Sequence, residues 1–212
     1  MSSLEAVAEW FLRLNGFFTV QNFVVHPVNT EEGSQQRTDA DVLGFRFPKR
    51  QEIVSGEPLV DHPAFQDARL PTFVIAEVKA GRCRLNGPWS RAEEGNVTNV
   101  LRSFGMMSAT SLDAISKAFY ENGRFQADDL DARLLCFGAD RSRDLSEGVL
   151  QFTWEEIFGF IFDRYQAFWR AKRQNQQWPQ IGRFLWDRSK HQEREHYVAE
   201  MLKEFGVGRA GE

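Results

Sequence analysis

Three acids and one amine stand at the margins of apolar runs in this chain, in two groups. In Phe73-Val-Ile-Ala-Glu77-Val78-Lys79 a continuous apolar run ends in a carboxylate and an ammonium two residues apart. Side chains alternate faces along a strand, so Glu77 and Lys79 point the same way and Val78 the other. In Thr38-Asp39-Ala40-Asp41-Val42-Leu43 an acid again leads directly into apolar residues. A buried charge must be paired, solvated in a cleft, or bound to a metal. Taken alone, Glu-x-Lys is common, and its ordinary reading is an exposed ion pair. If the two strands pair, Asp41 and Glu77 converge at one sheet edge. Two carboxylates with water suit a hard cation such as Mg²⁺. Lys79 would then orient an attacking water or neutralise charge on a phosphoryl oxygen. Asp39 shares a face with Asp41 and has two readings, a second ligand or a cap for the turn after Gly33-Ser34; both stay open.

The elements that would position these groups follow from the pattern around them. Ser2 or Ser3 can cap a first helix with the apolar stripe Leu4, Val7, Ala8, Phe11 and Leu12, ended by Asn15-Gly16. Phe17 to Val25 reads as a strand, residues 29–38 as a polar turn, and Asp39 to Phe47 as a second strand closed by Pro48. Residues 49–70 read as a long mixed loop, a functional insertion or a mobile segment. Phe73 to Lys79 is the third strand. The pattern is helical from about Arg91 to Tyr120, with a break near Met107 to Ser111. Leu134 to Phe137 and Gly148 to Phe152 are further strands. Thr153 with Glu156 is a capping box for a strong helix, and Pro179 opens a last one, roughly Gln180 to Phe205. This order predicts an α/β or α+β sheet flanked by helices.

The set Asp41…Glu77-Val78-Lys79 resembles the signature of the PD-(D/E)XK nuclease superfamily, which includes restriction endonucleases and Holliday-junction resolvases. Glu5, upstream of the Gly16-Phe17 pair, fits the helix glutamate of resolvase-like members; Glu9 is one turn on. The match covers about residues 3–81, and the order of elements is consistent to about residue 160. It departs where Ala40 replaces the family's proline and where residues 49–70 lengthen the hairpin.

The resemblance implies a restriction-endonuclease-like mixed central sheet flanked by helices, with a core at 1–160 and a helical C-terminal extension at 161–212. It further implies a Mg²⁺- (or Mn²⁺-) dependent nuclease acting on DNA. Asp41, Glu77, Lys79 and Glu5 would be catalytic. Asp41, Glu77 and the Val78 backbone carbonyl would be metal ligands. Arg82 and Arg84, in the loop after the third strand, and Asn99 and Arg102, on the following helix, are candidate nucleic-acid contacts; for each, an ordinary solvated surface is the competing reading. A homodimer is a possible arrangement for cutting both strands. The alternative function is a non-catalytic nucleic-acid- or protein-binding module on the same scaffold.

Composition narrows the rest. The chain has 212 residues, 42% hydrophobic and 26% charged, enough for a sizeable core. Its net charge of -4 argues against a passive polyanion binder. Two cysteines, Cys83 and Cys136, make neither a disulfide framework nor a zinc cage, and read as reduced and structural. No secretory signal and no apolar run near the ~20 residues of a membrane helix are seen, so cytoplasm is the expectation and Asn96-Val97-Thr98 an unused sequon. The stretch Arg164 to Arg194 is basic and aromatic-rich; its rings read mainly as core beneath a basic outer face, and less readily as a nucleic-acid surface. Gly206-Val-Gly-Arg-Ala-Gly211 spells a dinucleotide fingerprint but follows a helix and precedes none, so it is discounted. Asp61-His62 reads as a surface turn.

Overall fold

Ser3 opens the first helix as expected: its hydroxyl accepts the Ala6 N–H at 3.2 Å, and α1 runs Leu4–Leu14. Gly16, at φ 80°, turns the chain into β1 (Phe18–Val25), a reversal that suits a residue without a Cβ. The computed structural model describes residues 3–25, 38–54, 56–66, 68–105, 109–174 and 177–207. The polar turn expected at 29–38 falls outside these except for Thr38, which already belongs to β2 (Thr38–Arg46).

The chain then forms β3 (Ile53–Val54), β4 (Glu57–Pro58), α2 (Pro63–Gln66) and β5 (Thr72–Val78). Next come α3 (Gly87–Ser90), a short 3-10 turn at Ala92–Glu94, α4 (Asn96–Phe104) and α5 (Ala109–Asn122). The strands β6 (Arg124–Gln126), β7 (Asp131–Gly138) and β8 (Leu150–Thr153) follow. The last elements are α6 (Trp154–Ala167), α7 (Trp169–Lys172), α8 (Gln180–Arg188) and α9 (Arg194–Glu204).

Six strands make one mixed sheet in the order β1-β2-β5-β7-β6, with β8 sharing the outer edge of β7. β1, β2 and β5 are antiparallel neighbours; β5 and β7 are parallel, as are β7 and β8. β5 is buried on both faces from Thr72 to Glu77, which is why its sequence reads as an unbroken apolar run rather than an alternation. One face of the sheet packs on α1, α6, α8 and α9 around Phe11, Phe137 and Trp154. The other packs on α3, α4 and α5 around Trp89, Val100 and Phe119. The protein is thus α/β, with helices on both sides of a mixed sheet.

Three expectations need correction. Residues 49–70 are not a plain loop: they carry the β3–β4 hairpin and α2, and are tied to the core by Asp61. That residue is buried and meets Arg46 at 2.6 Å, Arg50 at 2.7 Å and Arg164 at 3.0 Å, so the surface-turn reading of Asp61-His62 fails. His62 lies among Phe11, Phe65, Phe152 and Phe160, and burial lowers its pKa. Secondly, the last helix is two, α8 and α9, because the chain turns at Ser189 to Glu193, where His191 adopts φ 57°. Thirdly, Arg164 faces inward. Much of the basic stretch is already paired, Lys172 with Glu52, Arg188 with Glu200, Lys190 with Asp187 and Arg194 with Asp163. Its rings are core, as expected: Trp186 is buried and stacks with Trp169 at 4.5 Å. No helix among the described residues is long and apolar enough to cross a membrane.

Candidate active site

The antiparallel register of β2 and β5 pairs Val42 with Ala76, and one step beyond that ladder stand Asp41 and Glu77. The pairing of β1 with β2 lapses at the same level. Gln21 faces Val42 and Phe23 faces Ala40, but Asn22, at φ 49°, and Asp41 between them are unpaired. Asparagine is among the few residues that enter this left-handed region readily. Alternation breaks there too: Ala40 and Leu43 both pack on the α4–α5 side although three residues apart. Asp41 occupies the kink, and its Oδ2 accepts the backbone N–H of Val78 at 2.7 Å. The face expected to be shared by Asp39 and Asp41 involves a side chain, that of Asp39, outside the described residues.

Glu77 is 2% exposed, on the side of the sheet that faces Trp89. One carboxylate oxygen pairs with the Lys79 ammonium, and the other accepts the Trp89 indole N–H at 2.6 Å. Lys79 is held by its backbone from two directions. Its N–H donates to Phe137 O at 2.9 Å, extending the β5–β7 ladder, and its carbonyl accepts from Trp154 Nε1 at 2.9 Å. The loop that follows lies directly on β7. Gly81 O accepts from Ala139 N at 2.7 Å and Asp140 O from Cys83 N at 2.8 Å. A Cβ on Gly138 would sit 2.7 Å from both the Gly81 carbonyl oxygen and the Cys83 nitrogen, so only glycine allows this approach. Cys83 and Cys136 are buried free thiols in this packing.

Electrostatics join the members of the site. Burial first, then the charge of Glu77, raise the Asp41 carboxyl from 3.8 to about 6; the Val78 N–H and Lys79 oppose the rise, and Glu5 adds to it. Glu5 on α1 is thus near enough to be felt by Asp41. Glu9 is occupied elsewhere, accepting from Thr19 Oγ1 at 2.8 Å. Arg82 and Arg84 are exposed and unpaired among the described residues. Asn99 and Arg102 lie on α4, where Arg102 Nη1 donates to Asn99 Oδ1 at 3.4 Å.

Sequence reasoning missed the two indoles that hold the site. Trp89 sits in the one-turn helix α3 and Trp154 at the start of α6, and neither position marks a tryptophan as a hydrogen-bond donor to residues 10 or more away. A fit to Mg²⁺ or Mn²⁺ rests on the donor set: two carboxylates, one with its acidity suppressed by burial and by the other's charge, and the Val78 carbonyl. Among the described residues no three His, Cys, Asp or Glu side chains cluster to hold an ion. Any ion would therefore keep several waters, as Mg²⁺ commonly does. Comparison with protein-family models, curated proteins and solved structures returns no match.

Two outcomes follow from this geometry. Asp41 binds its proton more tightly in the folded than in the unfolded chain. Stability without metal therefore falls as pH rises from about 4 through about 6, and the cost persists above. Asp41→Asn keeps an oxygen for the Val78 N–H and cannot ionise. In chelator it should remove that fall and be more stable than wild type at pH 8 by about 2 kcal/mol, read by urea unfolding at pH 4.5 and 8. An unchanged pH profile in the variant would show that Asp41 is solvated instead. Trp89→Phe keeps a ring but loses the donor to a buried carboxylate. It should cost about 1.5–3 kcal/mol in the same assay, more than an exposed hydrogen bond could.

Proposed function

We propose that the chain is a metal-dependent nuclease of restriction-endonuclease-like fold that hydrolyses phosphodiester bonds, with DNA as substrate. The observation that carries this reading is the meeting of Asp41, Glu77 and Lys79 at one end of adjacent strands, with the Asp41 carboxylate fixed on the Val78 N–H. The helix, three antiparallel strands and parallel fourth strand around that point agree with the fold proposed.

In this reading Asp41, Glu77 and the Val78 carbonyl hold Mg²⁺ or Mn²⁺. The ion, when bound, supplies Lewis acidity at the scissile phosphate and acidifies a water. Lys79, oriented by Glu77, presents an ammonium that neutralises charge growing on the phosphoryl oxygens. Glu5, sensed electrostatically by Asp41, adds a third negative charge at the α1 side. Trp89 and Trp154 are positioning residues: one fixes the Glu77 carboxylate, the other the Lys79 backbone. Exposed Arg82 and Arg84 are placed to pair with flanking phosphates.

One observation favours a second reading, a non-catalytic binding module. Both Glu77 oxygens already accept N–H donors, which closes the ion pair on itself. Cleavage decides between them. Single-stranded, duplex and branched DNA are incubated with the protein in Mg²⁺ or Mn²⁺, with chelator as control. Cuts that require the metal are expected. DNA left intact under every condition would transfer the assignment to the binding module.

A further inference from the structure

At the opposite end of the sheet from the acids, where β5 and β7 begin, a cleft of about 240 Å³ opens between α2 and the β6–β7 edge. Its position follows from the parallel register that pairs Thr72 with Asp131. β5 spans seven residues, so the cleft lies on the order of 20 Å from Glu77. Three arginines line it, Arg69, Arg124 and Arg133, against the one carboxylate of Asp131.

The arrangement is more than a surface ion pair. Asp131, with its side chain 12% exposed, receives Arg133 at 2.6 Å and Arg124 at 3.0 Å, and the two guanidinium groups hold its carboxyl below the usual range, against burial. One carboxylate thus pins two like charges side by side, which leaves a net charge of +1 on the trio. Among the described residues Nη1 of Arg124 and of Arg133 has no hydrogen-bond partner, and Arg69, on the facing wall, makes no ion pair. Counting the described residues alone, the cleft's lining holds three cations and one anion. Pro63, Ala64 and Leu70 give the cleft an apolar side, while Thr72 and Gln126 add neutral polar groups.

We propose that this cleft is a binding site for the dianionic phosphate of a small phosphomonoester. Guanidinium forks match phosphate oxygens in pairs, and Asp131 holds two of them in orientation before the ligand arrives. A phosphomonoester carries close to two negative charges at neutral pH, which complements the net charge of the cleft. A carboxylate supplies only one. The apolar wall takes the organic part of the ester. The proposal is independent of nuclease activity, because none of these residues belongs to the acid site.

The test uses the full chain and calorimetric titration at constant ionic strength, with inorganic phosphate, AMP and adenosine as probes and chloride as the balancing salt. AMP should bind at least as tightly as inorganic phosphate, and adenosine should not bind detectably. Arg69→Gln replaces an exposed residue that has no ion-pair partner among the described residues, so it should leave the ligand-free melting temperature unchanged and weaken AMP by about tenfold or more. Arg133→Lys keeps the charge but loses the fork, and should weaken AMP while the protein still melts cooperatively. Heats no larger than those of chloride, full affinity in Arg69→Gln, or binding of inorganic phosphate with exclusion of AMP would each overturn the assignment.

Discussion

Replacing Lys79 with methionine should lower Mg²⁺-dependent DNA cleavage by about 10²–10³-fold, the usual loss when one preorganised electrostatic partner of the reacting group is removed. The methylene stem is retained, and Glu77 keeps the Trp89 hydrogen bond. The fold should survive, although Glu77 loses its cation while buried, with a loss of about 3 kcal/mol. Glu77→Gln keeps the shape of the carboxylate and its Trp89 contact but removes the charge that orients Lys79; it should reduce cleavage at least as far. Because the two side chains form one ion pair, the double variant should be little worse than the more damaged single one. Losses that multiply would mean that the groups act separately. DNA binding by Lys79→Met, followed by fluorescence anisotropy, should stay within a few-fold of wild type, since exposed Arg82 and Arg84 are untouched. Equal loss of binding and cutting would make Lys79 a docking residue instead.

The largest stability effect is expected far from the acids, at Asp61. Its carboxylate compensates Arg46 and Arg164, whose side chains are each 2% exposed, and it also meets Arg50. The network reaches further. Arg46 Nε donates to Asn15 O at 2.9 Å, His62 N to Asn15 Oδ1 at 2.7 Å, and Lys172 Nζ to Glu52 Oε1 at 2.7 Å. It thereby ties the end of α1, the 49–70 segment, α6 and α7 together. Asp61→Ala would leave buried Arg46 without its anion and buried Arg164 with only Glu52, at 3.9 Å. A cost of about 3–5 kcal/mol is expected, or a fall in melting temperature of roughly 10–15 °C. High salt should recover little of it, because a buried pair is poorly screened. A loss under about 1 kcal/mol would show that the arginines reach water once the carboxylate is gone.

This network marks the boundary of what linear reading can reach. Asp61 and Arg164 are 103 residues apart, and nothing in Val60-Asp61-His62 separates a buried clamp from a surface turn. The same holds for β6, whose three residues Arg124-Phe125-Gln126 carry too little apolar signal to announce a strand. By contrast, the starts of α1 and α6 were legible to within a residue or two. Their starts depend on local hydroxyl capping by Ser3 and Thr153, which is written in four consecutive positions.

The site divides along the same line. That Glu77 and Lys79 share a face of a buried strand, and that Asp41 enters another, follows from residue type and the two-residue period of extended chain. Those are short-range facts, so the amino-acid sequence settles them alone. The tertiary structure decided which strands are neighbours, and with that the kink at Asn22 that turns Asp41 onto the Val78 N–H, and the indoles of Trp89 and Trp154 that hold Glu77 and Lys79. It also assembled Arg69, Arg124 and Arg133 into a cleft. Such contacts join positions tens of residues apart, where no local pattern constrains the partner and only packing of the whole sheet and its helices selects it.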